Sequence, residues 1–310
     1  MITFDKLKLV TSIHDIKIID HSKFNEVIKD NQVCCLKYYQ DYPYNLLIKV
    51  DIQKAETVIE FTGKILHSAY PKHISTITIT KCFENINSLG ICSIDIGKVI
   101  DHCQVVKCDV VKDIKGVNID NLSAYIRSHI SNYQFYNCNH LSNKNLIIEK
   151  NVTSSKLKKR MTIYDKDKEM KRSVNRKYAE KYGIANAFEN CIRAEMNLNS
   201  KDQIRKTLHI DDTQLIKVLE STANPIFDFL QEVVSTDSAI HTGNLQTYMK
   251  YLLLKECDFD LAKIEAIVRA SYKRGTSIKK IMESYRAILS QIPEVAKPSE
   301  DYRKFISQLQ

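Results

Sequence analysis

A change of apolar periodicity constrains this 310-residue chain more than any other feature. Through the first ~165 residues apolar side chains alternate with polar ones or gather in short β-branched runs; beyond about residue 200 they recur every three to four positions. The first pattern predicts strands at Val33–Tyr39, Leu46–Ile52, Thr57–Thr62, Ile74–Lys81, Cys103–Lys112, Leu146–Asn151 and Arg160–Tyr164. In Ile74-Ser75-Thr76-Ile77-Thr78-Ile79-Thr80, Ile77 and Ile79 interleave with Thr as in a half-buried strand. A helix is expected from Asp120 to Arg127, capped by Asp120 or Asn121. Lys168–Tyr182 reads as one charged helix, stopped by Gly183. Cys191–Leu198 alternates again as a strand.

The second pattern predicts a helix over Asp212–Val234, kinked at Pro225, then helices over Asn244–Glu256, Asp260–Lys273 and Ser277–Gln291. In the last, Ile278, Ile281, Met282 and Tyr285 share a face, and Arg274-Gly275-Thr276 is the turn before it. The expectation is an α+β fold: a domain over 1–200 centred on an antiparallel sheet, then an all-helical domain over 201–310.

Composition narrows the class. A hydrophobic share of 44% supplies a core, and 7 Gly with 5 Pro exclude collagen-like and long flexible-linker architectures. No run of about 18 apolar residues occurs, and Met1–Lys8 lacks a signal-peptide layout. Nine Cys without any Cys-x-x-Cys read as reduced thiols rather than zinc ligands or disulfides, in a cytosolic protein with no membrane partner.

The net charge is +9, and it is concentrated: residues 144–182 hold 13 basic and 5 acidic side chains, while the rest of the chain is nearly neutral. Within this stretch lie Lys156, Lys158, Lys159, Arg160, Arg172 and Arg176, interleaved with Tyr164, Tyr178 and Tyr182. Cations neutralise phosphates and aromatic rings offer faces to unstacked bases, so a polyanion such as single-stranded DNA is the expected partner. The competing reading is a solvated surface.

Tyr178 and Tyr182 are four apart, hence on one side of a helix, with Lys181 beside them. Two phenols in one site would permit two successive phosphotyrosine transfers, with Lys181 stabilising charge; the alternative is two aromatics packed on a core. Asp109 and Glu195 stand inside apolar strands, where a carboxylate is costly unless paired or bound to metal. Oxygen ligands suit Mg²⁺ or Mn²⁺; ion pairs with Lys107 or Arg193 are the alternative. No His-x-His, phosphate loop, Gly-x-Gly-x-x-Gly or Gly-x-Ser-x-Gly elbow occurs.

Four segments, in order, resemble those of rolling-circle replication initiators, in particular the gene II proteins of filamentous phages. They are Val58–His67 with its Gly63-Lys64-Ile65-Leu66-His67 end, Val106-Lys107-Cys108-Asp109-Val110, Tyr164-Asp165-Lys166-Asp167-Lys168-Glu169, and Ile192-Arg193-Ala194-Glu195-Met196. Tyr178–Tyr182 falls where a nucleophilic helix is expected. The likeness covers roughly residues 45–200. It departs from the family's pattern at Lys107, where arginine is common, and in lacking His-x-His.

The resemblance implies an HUH-like nicking domain in which Tyr178 attacks a DNA phosphate, Tyr182 serves a second transfer or packs, and Lys181 stabilises charge. Asp109, Glu195 and Glu169 would hold Mg²⁺ or Mn²⁺. Lys107, Lys158, Lys159, Arg160, Arg172, Arg176 and Arg193 would contact DNA. Origin duplex and single strand would be partners, with a host helicase and polymerase. A mobilisation relaxase would share this chemistry. A non-enzymatic DNA-binding regulator, with a helix-turn-helix formed by 260–273 and 277–292, is the reading from another class.

Overall fold

A computed structural model describes residues 2–130, 136–140, 145–150, 159–234, 245–257, 259–272, 277–291 and 300–310. The expected Lys158 contact and the turn at 274–276 lie outside them. The chain divides into two compact units, 1–234 with 301–310, and 235–300. The boundary expected at residue 200 is therefore displaced: three further helices and the last one belong to the sheet-bearing unit.

That unit is built on a ten-stranded antiparallel sheet. Its central strands are β1 (Phe4–Ser12), β8 (Gln104–Lys115), β12 (Cys191–Leu198) and β11 (Arg160–Asp165). On the β1 side lie β6 (Glu56–Thr62), β5 (Leu46–Asp51), β4 (Gln32–Gln40) and the edge strand β3 (Asn25–Lys29). On the β11 side lie β10 (Leu146–Lys150) and β9 (Tyr136–His140). A separate pair joins β2 (Ile16–Ile18) to β7 (Cys92–Ile94). The α+β class with a large antiparallel sheet and a helical C-terminal part is as expected.

Period-two alternation gives the sheet two chemically different faces. Leu7 and Leu9, Ile59 and Phe61, Cys108 and Ile114, Met161 and Ile163, and Ala194, Met196 and Leu198 are buried on one. These belong to one core with Phe83 and Ile86 of α1 (Ile79–Asn87), Leu122 and Ile126 of α3 (Ile119–His129), Ile204 and Leu208 of α6 (Lys201–Leu208), and Phe229 and Leu230 of α8 (Pro225–Val233). Between α1 and α3 comes α2 (Ile96–His102), and between α6 and α8 comes α7 (Leu215–Glu220). Cys34, Cys35, Cys82, Cys92, Cys103, Cys108, Cys191 and Cys257 are buried with free thiols.

Three local expectations change. Ile74–Lys81 is not a strand: Thr78 Oγ1 accepts from Ser75 N (2.9 Å) and donates to the His73 carbonyl (2.6 Å), which turns the chain into α1. Ile77, one of the apolar residues of the expected half-buried strand, is 76% exposed. The charged helix is two, α4 (Lys166–Met170) and α5 (Ser173–Lys181), because the backbone is extended at Arg172 (ψ 143°) between them; Asp165 caps the first at Lys168 N (2.8 Å), and Gly183 has φ +67°, as a helix stop requires. Pro225 starts a helix rather than kinking one, its missing N–H harmless in the first turn.

The second unit holds α9 (Leu245–Glu256), α10 (Leu261–Ser271) and α11 (Ile278–Gln291), which bury Tyr251, Leu254, Ile264, Val268, Met282 and Tyr285 together. Asp260 caps α10. The final helix, α12 (Glu300–Leu309), returns to the first unit and buries Tyr302, Phe305 and Leu309 in its core. No helix among the described residues is long and apolar enough to cross a membrane.

Candidate active site on the polar face of the sheet

The second sheet face is polar. Register across β8, β12 and β11 sets Asp113, Arg193 and Tyr164 in one row, Val111, Glu195 and Thr162 in the next, and Asp109, Asn197 and Arg160 in a third. On β1, Lys6 stands opposite Asp109 and Lys8 opposite Lys107. A register shift between Phe4 and Lys6 leaves Asp5 out of the ladder, free to serve the Asp113 row. Lys6 and Lys8 both pair with Glu60 of β6, Lys8 at 3.0 Å, and hold its carboxyl below the usual range against the opposing effect of burial.

Arg193 is fully buried and organises one end of this face. Its Nε and Nη2 donate to the two oxygens of Asp113 at 2.6 and 2.9 Å, and Nη1 donates to Asp5 Oδ1 at 2.7 Å and Tyr70 Oη at 3.0 Å. His73 Nε2 lies 3.0 Å from Asp113 and 2.9 Å from Arg193 Nη2. Burial pushes the Asp5 and Asp113 carboxyls up, but the guanidinium wins and both lie below the ordinary carboxylate range. The expected contact of Arg193 with DNA is corrected here: enclosed by two carboxylates, it has no surface for a phosphate. Its alternative reading, an internal ion pair, is what the chain builds.

The three expected metal ligands do not form one set. Glu169 is held by buried Lys166 at 2.5 Å and by Asn175 Nδ2 at 2.6 Å. Asp109 accepts from Asn197 at 2.8 Å, and Glu195 accepts from Tyr164 Oη at 3.3 Å. Burial, and then the charges of Asp5 and Asp109, raise Glu195 to about 7; burial also raises Asp109. Among the described residues no group of three His, Cys, Asp or Glu side chains is arranged to hold a metal ion. Asp109 and Glu195 do share the polar face, in neighbouring rows.

The tyrosines of α5 have different surroundings. Tyr178 is 3% exposed, and its hydroxyl donates to the Lys64 carbonyl at 2.5 Å. Burial drives its pKa far above the usual phenol value, so its phenolate is disfavoured. Tyr182, at the end of α5, is half-buried, and Lys181 Nζ lies 5.1 Å from its ring centre. Its hydroxyl is 3.2 Å from that of Tyr44, which is 2.8 Å from His67 Nε2. The His67 ring stacks on Tyr182, 4.5 Å between centres and 10° from parallel. The Tyr178 ring meets Tyr70 edge-on at 6.1 Å, and Tyr70 Oη is also the acceptor for Lys166 Nζ at 2.9 Å. The two ends of the site are thus linked through Tyr70.

The remaining basic residues differ in availability. Lys107 and Arg160 are half-buried on the polar face, and Arg160 Nε has no hydrogen-bond partner among the described residues. Lys159 is paired with Glu232 at 2.9 Å. Arg172 and Arg176 are exposed on α5 and its cap, Arg176 in a loose pair with Glu180 at 3.7 Å.

Sequence reasoning passed over Asp5, Tyr44, His67, Tyr70, His73 and Asp113. Asp113 carried a signal: it is four residues after Asp109 on one strand and so on the same face. His67 and His73 flank Pro71 with no local partner, and only the ten-residue 3-10 segment Gly63–Lys72 brings them to the sheet. No protein family, no curated protein and no solved structure matches this chain.

Proposed function

We propose that the chain is a tyrosine DNA nickase that initiates rolling-circle replication, built on an HUH-like nicking fold. The observation that carries this reading is convergence. The four segments with family likeness, and the tyrosine helix between the last two, contribute Lys64 and His67, Asp109, Tyr164 with Lys166 and Glu169, Arg193 with Glu195, and Tyr178 with Tyr182 to one contiguous polar region.

In this reading the half-buried Tyr182 makes the first attack, because its hydroxyl faces side chains rather than a backbone carbonyl. Its oxygen bonds to phosphorus as the bond to the 3′-oxygen breaks, giving a 5′-phosphotyrosine and a 3′-hydroxyl primer. Lys181 offsets the charge that develops on Tyr182. Tyr178 supports the helix on Tyr70 and is held back from chemistry by its hydrogen bond. Lys107 and Arg160, with Arg172 and Arg176, supply the phosphate contacts. Asp109, Glu195 and Glu169 do not come together as a three-ligand metal site.

The test is covalent capture. Supercoiled DNA carrying candidate origins is incubated with the protein and Mg²⁺ or Mn²⁺, then resolved under denaturing conditions. An adduct that survives in Tyr178→Phe and disappears in Tyr182→Phe is expected; loss only in Tyr178→Phe would reverse the two roles. A wild type that binds DNA but forms no adduct on any origin would favour the regulator. That reading draws on the compact α10–α11 pair, whose packed helices suit a recognition unit.

A further inference from the structure

We infer that His67, acting through the hydroxyl of Tyr44, accepts the proton that Tyr182 loses as it attacks the phosphate. The inference rests on the nickase reading and deepens it. Three observations carry it. The oxygens of Tyr182 and Tyr44 are 3.2 Å apart, and Tyr44 Oη is 2.8 Å from His67 Nε2. With the imidazole protonated on Nδ1, the single proton of Tyr44 goes to Nε2, and the Tyr44 oxygen is then an acceptor for Tyr182. The stack of His67 on Tyr182 fixes the imidazole beside the phenol it serves.

The third observation is backbone strain. His67 has φ +56° and ψ −117°, a conformation that L-residues rarely adopt, in the middle of Gly63–Lys72. A glycine would take it at no steric cost. Histidine is held there by Tyr44, Tyr182 and the Tyr178 hydroxyl, which lies 3.4 Å from its carbonyl oxygen. Burial, with the positive charges of Lys181 on α5 and Lys81 on α1, keeps the imidazole below its usual pKa and therefore neutral, as a proton acceptor must be.

The step balances. The Tyr182 proton passes to Tyr44 Oη while the Tyr44 proton passes to His67 Nε2. The Tyr182 oxygen gains a bond to phosphorus, and the P–O3′ electron pair leaves on the 3′-oxygen, which takes a proton from water. Tyr44 serves the attacking oxygen directly, and His67 acts through Tyr44.

The experiment uses the full chain and a 3′-labelled pool of random single-stranded oligonucleotides, with single-turnover adduct rates from pH 5 to 9 and peptide mapping of the adduct. Wild type is expected to label Tyr182, with a rate that rises through the imidazole ionisation and levels off. His67→Gln and Tyr44→Phe are expected to slow it about a hundredfold, a usual scale for removal of a proton acceptor. His67→Gly is expected to be equally slow but to recover at least tenfold with added imidazole, while melting at or above the wild-type temperature.

Rates within twofold of wild type in all three variants would overturn the relay and leave the nickase intact. So would slow variants with an unchanged pH profile and no imidazole rescue, or an adduct mapped to Tyr178. A wild type that never labels overturns the relay and the nickase reading together.

Discussion

Asp113 on β8 and Arg193 on β12 meet in a two-pronged pair, with Nε to Oδ1 at 2.6 Å and Nη2 to Oδ2 at 2.9 Å, and the arginine completely enclosed. Removing Asp113 leaves the buried guanidinium with Asp5 as its one remaining carboxylate and two of its N–H groups without an acceptor. Asp113→Asn is therefore expected to cost about 3–5 kcal/mol in urea unfolding. A cost under ~1 kcal/mol, the range of an exposed pair, would mean that water reaches the guanidinium.

Glu195 gives the stability a pH dependence of definite sign. Its folded-state value of about 7 lies above the ordinary value of 4.5, so between those limits the folded protein holds more protons than the unfolded one. The contribution is fully present below pH 4.5 and is lost as pH rises through 7. Glu195→Gln should flatten this slope and raise stability at pH 8 by about 1–2 kcal/mol, less than the full shift because the side chain keeps some water. Parallel wild-type and variant curves of unfolding free energy against pH would rule the assignment out.

The phosphate-binding cations are separable by their protein partners. Neutralising Lys107 and Arg160 should lower the salt dependence of single-stranded DNA binding by about 0.7 log units for each phosphate left without its cation. Lys159→Gln should change it less, since Glu232 already occupies that ammonium. An effect of Lys159→Gln as large as the other two would show that DNA displaces Glu232 from that ammonium.

Metal alone should not stabilise the free protein. A bound ion would raise the melting temperature by mass action, and the described residues assemble no three-ligand group. A melting temperature unmoved by Mn²⁺ at about 1 mM is expected. A rise that Asp109→Asn and Glu195→Gln abolish would show that this pair recruits an ion without DNA.

The central strands were legible because burial on one face only writes alternation into the sequence, as at Met161-Thr162-Ile163 and Ala194-Glu195-Met196. β1 was missed although Phe4, Leu7 and Leu9 are buried; the shifted register after Phe4 breaks its alternation at Asp5 and Lys6. The Ile74–Thr80 alternation misled because Ser75 and Thr78 spend their hydrogen bonds on the local turn. For the site, strand carboxylates and paired tyrosines stood out as residue types in unusual places. The choice between the tyrosines did not, since it depends on Lys64 and Tyr44, over a hundred positions away in the chain.

The return of α12 has a practical consequence for cleavage. Asn224 Nδ2 donates to the Leu309 carbonyl at 2.6 Å, and Asp301 and Gln308 accept from the backbone at Asn118 and Lys115. Residues 235–300 are thus a guest inserted between two parts of one host rather than a tail. A protease cutting once between 235 and 299 would produce two fragments that co-migrate on a native column and part only in denaturant. A stop codon at the same place would remove a piece of the host's own interior.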